Sequence, residues 1–380
     1  MIKPSQRLNM VKEYYFSAKL KEVKEMIENG LPIIQMGIGS PDLPPHPDII
    51  LALQHTANAE NAHSYQPYHG SPQLRTAMAK FYEDNYKVSL NPLEVLPLMG
   101  SKEGIMHISM AFLNAGDHVL VPDPGYPTYG AVANLVQAKP IPYSLTEANN
   151  WLPDFKALEA LDLSKVKIMW TNYPHMPTGA LPNKDLFKKL VDFGHKHEIL
   201  IVHDNPYSFI LNDNPQSILT IKDSKQVALE LNSLSKTYNI PGWRVGMVVG
   251  DEANLKSILQ VKSNMDSGMF LGIQAGAIAA IGLGRKWFTD LNEQYAARRE
   301  LIWQLINVLG LTCEKNTAGM FVWAKLPQTT EANAYADWLL YEKQIFITPG
   351  SVFGKNGKNY IRFSLCVPET QIYKAIQRVK

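Results

Sequence analysis

The chain has little of what several protein classes require. Its 380 residues contain only two cysteines, Cys313 and Cys366, which lie far apart and form no C-x-x-C pair. This pattern argues against a disulfide framework or a zinc site and indicates free thiols in a reducing compartment. The formal net charge is only +2 and its charges are scattered, so no electrostatic signal favours nucleic acid or an anionic membrane as a partner.

Long apolar runs are also missing. Residues 1–30 alternate charged and apolar side chains and lack the apolar core of a signal peptide. The longest uncharged apolar stretch, 269–284, falls short of the roughly 20 residues that span a bilayer, and we interpret it as a buried helix. We therefore expect a cytoplasmic globular protein of about two domains, with no internal repeat.

The apolar residues that are present predict an α/β fold. Short runs rich in Val, Ile and Leu predict buried parallel strands at 118–121, 166–170, 199–203, 227–231 and 247–249. Helical patterns such as 186–196 lie between them, which is typical of a mostly parallel sheet layered between helices.

A change of pattern near residue 285 divides the chain. Beyond it the sequence predicts a long charged helix followed by short strands, at 287–308, 320–324, 345–348 and 360–364. We expect a large α/β domain over 46–285. A smaller α+β domain is expected from 286–380, joined by the N-terminal segment 1–45.

Polar clusters follow four of the predicted strands, at 123–129, 172–179, 204–207 and 233–236. In open α/β sheets ligands bind at the carboxyl ends of the strands. The four clusters therefore predict one shared site.

The segment 233–246 combines Lys236 with Ser233, Ser235 and Arg244. Lysine forms a Schiff base with an aldehyde cofactor such as pyridoxal phosphate, and hydroxyls and a guanidinium suit its phosphate. Taken alone, Lys236 and Arg244 could equally be two solvated charges on a loop.

Other residues have comparable alternatives. Asp204 could pair with a protonated pyridine nitrogen or simply cap a loop. Tyr207 could donate to a ring oxygen or belong to the core, and Ser101, before a helical pattern, could bind phosphate or only cap the helix. Tyr126 follows a rigid turn and could stack on a flat ring. Arg362, within an apolar strand, is either at the surface or faces a carboxylate ligand.

Together these segments resemble the class I and II aminotransferases, fold type I pyridoxal phosphate enzymes, over essentially the whole chain. Within that family the chain looks most similar to the aspartate and LL-diaminopimelate aminotransferase subgroup. The matching segments, in order, are 37–42, 65–70 with 74–75, 100–102, 123–129, 172–179, 204–207, 233–246 and Arg362.

The resemblance implies a role for each residue and a homodimer that binds α-amino acids and 2-oxo acids. Lys236 is implied as the Schiff-base lysine and proton shuttle, Asp204 as the ring-nitrogen partner, and Tyr207 as the ring-oxygen donor. Tyr126 is implied as the stacking ring. The phosphate group is assigned to Ser101, Lys102, Ser233, Ser235, Arg244 and the second subunit's Tyr65. The substrate site is assigned to Arg362, which would bind the α-carboxylate, with Gly39, Tyr126 and Tyr15.

The same resemblance leaves two alternative functions open. A β-lyase or decarboxylase of this fold would use the same lysine. A regulator that binds the cofactor without turnover would be expected to carry a DNA-binding extension, whereas aminotransferase-like sequence begins near the start of this chain. Side-chain specificity is not determined by the fold or by the cofactor motifs.

One departure from the family lies at residues 175–179, where this chain reads His-Met-Pro-Thr-Gly instead of Asn-Asn-Pro-Thr-Gly. The second asparagine normally donates a hydrogen bond to the cofactor's ring oxygen, and Met176 has no donor. A charge-assisted hydrogen bond is worth about 1.5–3 kcal/mol. Its loss is expected to raise the pKa of the Schiff base at Lys236.

We predict that Met176→Asn lowers that pKa, because the amide adds a donor that favours the deprotonated, phenolate-bearing form. Titration of the cofactor absorbance in the wild type and the variant measures the effect. An unchanged or higher pKa in the variant would contradict the prediction.

Overall fold

The structure, a computed structural model, describes residues 2–11 and 15–380. Short strands and helices alternate through most of this range. The strands are β1 Ile34–Gln35, β2 Val95–Leu98, β3 His118–Asp123, β4 Lys139–Ser144, β5 Val166–Thr171, β6 Leu200–Asp204, β7 Ala228–Ser233, β8 Gly246–Val249, β9 Thr312–Cys313, β10 Phe321–Lys325, β11 Ile345–Phe346, β12 Thr348–Pro349 and β13 Tyr360–Ser364.

The helices include the expected long charged one, which begins at Gly284. They are α1 Tyr15–Glu28, α2 Pro47–Ala57, α3 Pro72–Tyr86, α4 Ser101–Phe112, α5 Thr128–Leu135, α6 Phe155–Glu159, α7 Lys184–His197, α8 Leu234–Thr237, α9 Glu252–Lys262, α10 Leu271–Ile281, α11 Gly284–Val308, α12 Ala332–Lys343 and α13 Glu369–Val379.

Seven strands form the large sheet, in the order β2-β8-β7-β6-β5-β3-β4. Strands β7, β6, β5, β3 and β4 are parallel, which confirms the expected mostly parallel sheet. The expectation of a parallel strand at 247–249 is wrong, because β8 pairs antiparallel with both β2 and β7. Between β7 and β8 the chain forms only α8 and a short 3₁₀ turn, not the crossover helix that joins parallel neighbours.

Both faces of this sheet are buried. Successive residues of a strand point to opposite faces. On one face Trp170 and Val202 pack in an apolar cluster that includes Ile105 of α4. On the other face Met169 and Ile201 belong to the main core, which includes residues of α3 and α7. Helices therefore cover both sides, as the apolar runs predict.

The remaining strands lie mostly in the C-terminal part. An antiparallel sheet has the order β12-β13-β10-β9, and β10 pairs with β13 so that Trp323 lies opposite Arg362. Strand β1 pairs parallel with β11. This pairing joins the N-terminal segment to the C-terminal strands, about 310 residues further along the chain.

A buried polar network joins β6 to β7. The Glu230 carboxylate, fully buried, lies 2.8 Å from Nδ1 of His203 and accepts hydrogen bonds from the Tyr82 hydroxyl at 2.9 Å and the Ile218 amide at 3.0 Å. Most buried polar groups are hydrogen-bonded in this way, because a buried polar group without a partner costs free energy. The network anchors the residue that immediately precedes Asp204.

The expected buried helix at 269–284 is present as α10, with Gly272, Gln274 and Ala277 buried. Across residues 2–11 and 15–380, no helix has the length and apolar character needed to cross a membrane.

Candidate active site

A cavity of about 380 Å³ lies at the carboxyl edge of the parallel strands. Each of the four strand-end clusters contributes to its wall, through Tyr126, Asn172, Asp204 and Lys236. The structure thus brings together most residues proposed from the sequence. Those that line the cavity are Gly39, Ser101, Lys102, Tyr126, Asp204, Tyr207, Ser233, Ser235, Lys236, Arg244 and Arg362.

Lys236 lies on α8, the single helical turn that follows β7. Its ammonium donates a 2.5 Å hydrogen bond to the carbonyl of Gly39. Burial lowers the pKa of Lys236, and the positive charges of Arg362 and Arg244 act in the same direction. A lower pKa increases the fraction of neutral amine, which is the form that attacks a carbonyl.

Asp204 ends β6 and is buried. Its Oδ2 accepts a 2.8 Å hydrogen bond from the Tyr129 hydroxyl, whereas Oδ1 has no hydrogen-bond partner among the described residues. Burial raises the pKa of Asp204 to about 6, although the Tyr129 hydrogen bond opposes this rise. A buried carboxylate oxygen without a donor suits a cationic N–H group from a ligand.

The start of α4 and the loop before β8 form an anion cradle. Gly100 precedes α4 with φ of +83°, and a Cβ there would lie 2.1 Å from Nη2 of Arg244. The glycine therefore lets the guanidinium approach the helix start, where backbone amides favour anions. Arg244 is held by Nη1 hydrogen bonds to the Pro241 carbonyl at 2.8 Å and the Ser235 hydroxyl at 3.3 Å.

Arg362 lies on β13 and is only 4% exposed, so the surface alternative is excluded. Its Nη2 donates to the carbonyl of Gly37 at 2.8 Å, and its Nη1 lies 3.3 Å from Sδ of Met176. The guanidinium carbon lies 3.9 Å from the ring centre of Phe321 and 4.6 Å from that of Phe353. These contacts hold a planar fork of donors at the cavity wall.

Two aromatic hydroxyl side chains complete the wall. Burial raises the pKa of Tyr207, so its hydroxyl stays protonated and can donate a hydrogen bond. Tyr126 packs edge-on against Tyr129 at 5.6 Å, and Tyr129 stacks on Trp170 at 5.0 Å. Tyr129 is thereby held in the position from which it reaches Asp204.

Tyr15 and Tyr65 do not line this cavity. Tyr15 borders a second cavity of about 1140 Å³, which shares Lys102 with the first. Burial raises the pKa of Tyr15 to about 12. Tyr65 is 89% exposed.

Sequence reasoning missed the partners that support these residues. Tyr129 donates to Asp204, and Asn172 donates to the Asp204 carbonyl at 2.5 Å while its Oδ1 accepts from the Met176 amide at 2.8 Å. Both residues lie in strand-end clusters, so the signal existed, but residue spacing does not reveal which side chains meet. Nothing in the sequence singled out Phe353 as a neighbour of Arg362.

The sequence and the fold of this chain are similar to those of known proteins. The family model described as aminotransferase class I and II matches residues 32–379. The LL-diaminopimelate aminotransferase of Dehalococcoides mccartyi is 39% identical, covering 100% of this chain and 98% of that protein. The enzyme of the same name from Aquifex aeolicus is 38% identical, covering 100% and 99%.

Among solved structures, apo-BacF from Bacillus subtilis superimposes with a TM-score of 0.95 at 35% identity, covering 100% of this chain and 98% of that one. The chain belongs to the class I and II aminotransferase family and has the fold type I architecture. It is an aminotransferase, and these relatives do not favour the β-lyase or decarboxylase alternative.

The raised pKa of Asp204 should make the free energy of unfolding of the cofactor-free protein depend on pH. Its folded pKa of about 6 lies above the ordinary value of 3.8, so between these values the folded chain retains a proton that the unfolded chain has released. The free energy of unfolding therefore falls as pH rises through this interval. We expect the wild type to lose roughly 2–3 kcal/mol relative to Asp204→Asn between about pH 4 and pH 7.

Unfolding of the cofactor-free proteins at a series of pH values measures this difference. The matched control is Asp213→Asn, at an exposed aspartate, which should track the wild type. A constant offset between wild type and Asp204→Asn across the interval would contradict the prediction.

Proposed function

We propose that this aminotransferase uses pyridoxal 5'-phosphate held in the 380 Å³ cavity. The observation that carries the proposal is the presence in one cavity of a half-buried lysine, whose pKa is lowered, and a buried carboxylate whose Oδ1 has no partner among the described residues. The anion cradle at α4 suits the phosphate. When bound, this cofactor supplies an aldehyde for the lysine and a cationic ring that takes up electron density.

The residues divide the binding work. Asp204 holds the ring nitrogen, Tyr207 donates to the ring oxygen, and Tyr126 packs against the ring. The phosphate is held by Ser101, Lys102, Ser233, Ser235 and Arg244. Their placement around one cavity supports these roles.

Lys236 then has two tasks. Its amine is the group that would bond to the cofactor's aldehyde and that the amino group of the substrate would displace. The freed amine would then act as the base and acid that holds and moves the proton of the substrate's Cα. Burial favours the neutral base form by lowering its pKa.

Arg362 binds the α-carboxylate of either substrate through parallel N–H groups, beside the backbone of Gly39. Gly39 must remain small because a Cβ there would lie 2.2 Å from the Phe321 ring. In the first half-reaction the amino group of an α-amino acid would exchange for the aldehyde oxygen of the bound cofactor, and the acid would leave as a 2-oxo acid. The second half-reaction would reverse this exchange on another oxo acid, so no external oxidant would be consumed.

We propose LL-diaminopimelate as the amino donor, because curated relatives of that name match 96–100% of this chain at 36–39% identity. Aspartate is the second candidate, from the subgroup resemblance. Tyr15 borders the adjoining cavity and is proposed to contact the substrate side chain.

We also propose a homodimer with shared active sites, in which the second copy's Tyr65 reaches the phosphate. The 89% exposure of Tyr65 within one chain supports this.

We propose two domains, a large one over 46–285 and a smaller one formed by 1–45 with 286–380. The separate large and C-terminal sheets support this division. The free thiols Cys313 and Cys366 are in keeping with a cytoplasmic location.

Lys236→Ala is expected to abolish covalent attachment of the cofactor and turnover, because alanine has no amine. Borohydride reduction followed by peptide mass spectrometry locates the attached lysine. Lys225→Ala, at a lysine paired with Glu94, is the control and should retain the attachment. Multiple turnovers by a pure Lys236→Ala preparation would refute the assignment.

A single-turnover screen tests the substrate. Conversion of the bound cofactor to its amino form is followed by absorbance with LL-diaminopimelate, its meso isomer and aspartate. We expect LL-diaminopimelate to react fastest. A faster reaction of aspartate would overturn the donor assignment and leave the aminotransferase class intact.

A further inference from the structure

The Met176 side chain has no part in the cofactor contacts proposed above. The side chain is 6% exposed and lines the cavity between Asp204 and Arg362. Its sulfur lies 3.3 Å from Nη1 of Arg362, within hydrogen-bond range for a thioether acceptor. An aliphatic side chain of the same size would place no acceptor at this guanidinium nitrogen.

The surroundings of Arg362 show what this contact adds. Phe321 and Phe353 lie against the guanidinium, with its carbon 3.9 Å and 4.6 Å from the two ring centres. Ring faces hold a planar cation in place, but they resist its rotation within its own plane only weakly. Directional acceptors at the rim define that angle, and Gly37 and Met176 supply one for each terminal nitrogen, at 2.8 Å and 3.3 Å.

Met176 is itself held firmly. Its backbone amide donates to Oδ1 of Asn172 at 2.8 Å, and Nδ2 of Asn172 donates to the carbonyl of Asp204 at 2.5 Å. A continuous set of contacts therefore runs from Asp204, at one part of the cavity, to Arg362 at another. Because these hydrogen bonds fix the backbone of Met176, its sulfur can hold Nη1 of Arg362 in one position.

The chemistry of a thioether suits this task. Sulfur is a weak acceptor and carries no donor, so it orients the guanidinium without competing strongly against a carboxylate. An aspartate or glutamate there would pair with Arg362 and oppose substrate binding.

We propose that Met176 is a positioning residue for Arg362, and that its sulfur sets the in-plane orientation in which the guanidinium receives the substrate's α-carboxylate. This inference rests on the proposed role of Arg362. Because both the amino acid and the oxo acid carry that carboxylate, Met176 affects the binding of both. Its effect is on binding shared by ground state and transition state, so KM changes more than kcat.

The test compares Met176→Leu with Met176→Gln in the cofactor-loaded enzyme. Leucine has a similar volume and no acceptor, and we expect it to raise KM for both substrates roughly 2- to 10-fold, the range for one weak hydrogen bond. Glutamine has an unbranched chain and an amide oxygen that can accept from Nη1, so it should recover most of that loss. The dissociation constant of succinate, a carboxylate without an amino group, should follow the same order.

Arg362→Ala closes a double-mutant cycle. If Met176 acts through Arg362, adding Met176→Leu to Arg362→Ala leaves the succinate dissociation constant within about twofold. An equal loss in both backgrounds would overturn the proposal, because it would show an effect of shape alone. Equal succinate affinity of wild type and Met176→Leu would also overturn it.

The same measurements separate this inference from the proposed function. Succinate affinity unchanged by Arg362→Ala would refute the carboxylate-binding role of Arg362 and the Met176 proposal with it. A large loss with Arg362→Ala but none with Met176→Leu would refute only the Met176 proposal. Thermal midpoints of all variants identify any loss that follows from unfolding.

Discussion

The rest of the site depends on a buried carboxylate. Asp204 is at the end of a central parallel strand, with one oxygen bonded to Tyr129 and the other without a partner among residues 2–11 and 15–380. Burying such a group costs free energy unless a donor or cation is supplied. A cationic N–H group bound at Oδ1 would offset this cost, which is the physical basis of the cofactor role proposed for Asp204.

Burial and neighbouring charge also determine the protonation of Lys236, which shares the cavity with two arginines. Burial and the positive charges of Arg362 and Arg244 lower the pKa of Lys236, so the two arginines proposed to bind anions also favour its neutral form. Arg244 lies in the loop before β8 of the large sheet, whereas Arg362 lies on β13 of the C-terminal sheet. The two arginines therefore lie on different walls of one cavity, and the proposed phosphate and carboxylate sites are supplied by different sheets.

The sequence predicted the central strands of the fold to within a few residues, because buried strands are short apolar runs closed by polar residues. It missed β2 Val95–Leu98 and β4 Lys139–Ser144, which lie at the two edges of the large sheet. Both contain proline and β4 is largely exposed. Edge strands tolerate proline, which weakens the strand pattern in both. In β4 the continuous apolar run is also absent, whereas β2 is buried throughout but only four residues long. The predicted direction of β8 was wrong because the direction of a strand depends on the segment that connects it to its neighbour, not on the strand's own residues.

By itself the sequence determined which residue types could hold an aldehyde cofactor and its phosphate, since Lys236, Asp204 and Arg244 lie in short segments with a recognisable order. The tertiary structure alone decided which side chains support them. Tyr129 reaches Asp204 across 75 residues, Lys236 bonds to Gly39 across 197, and Met176 contacts Arg362 across 186. Local patterns record only near neighbours along the chain, whereas hydrogen-bond partners are chosen by packing in space.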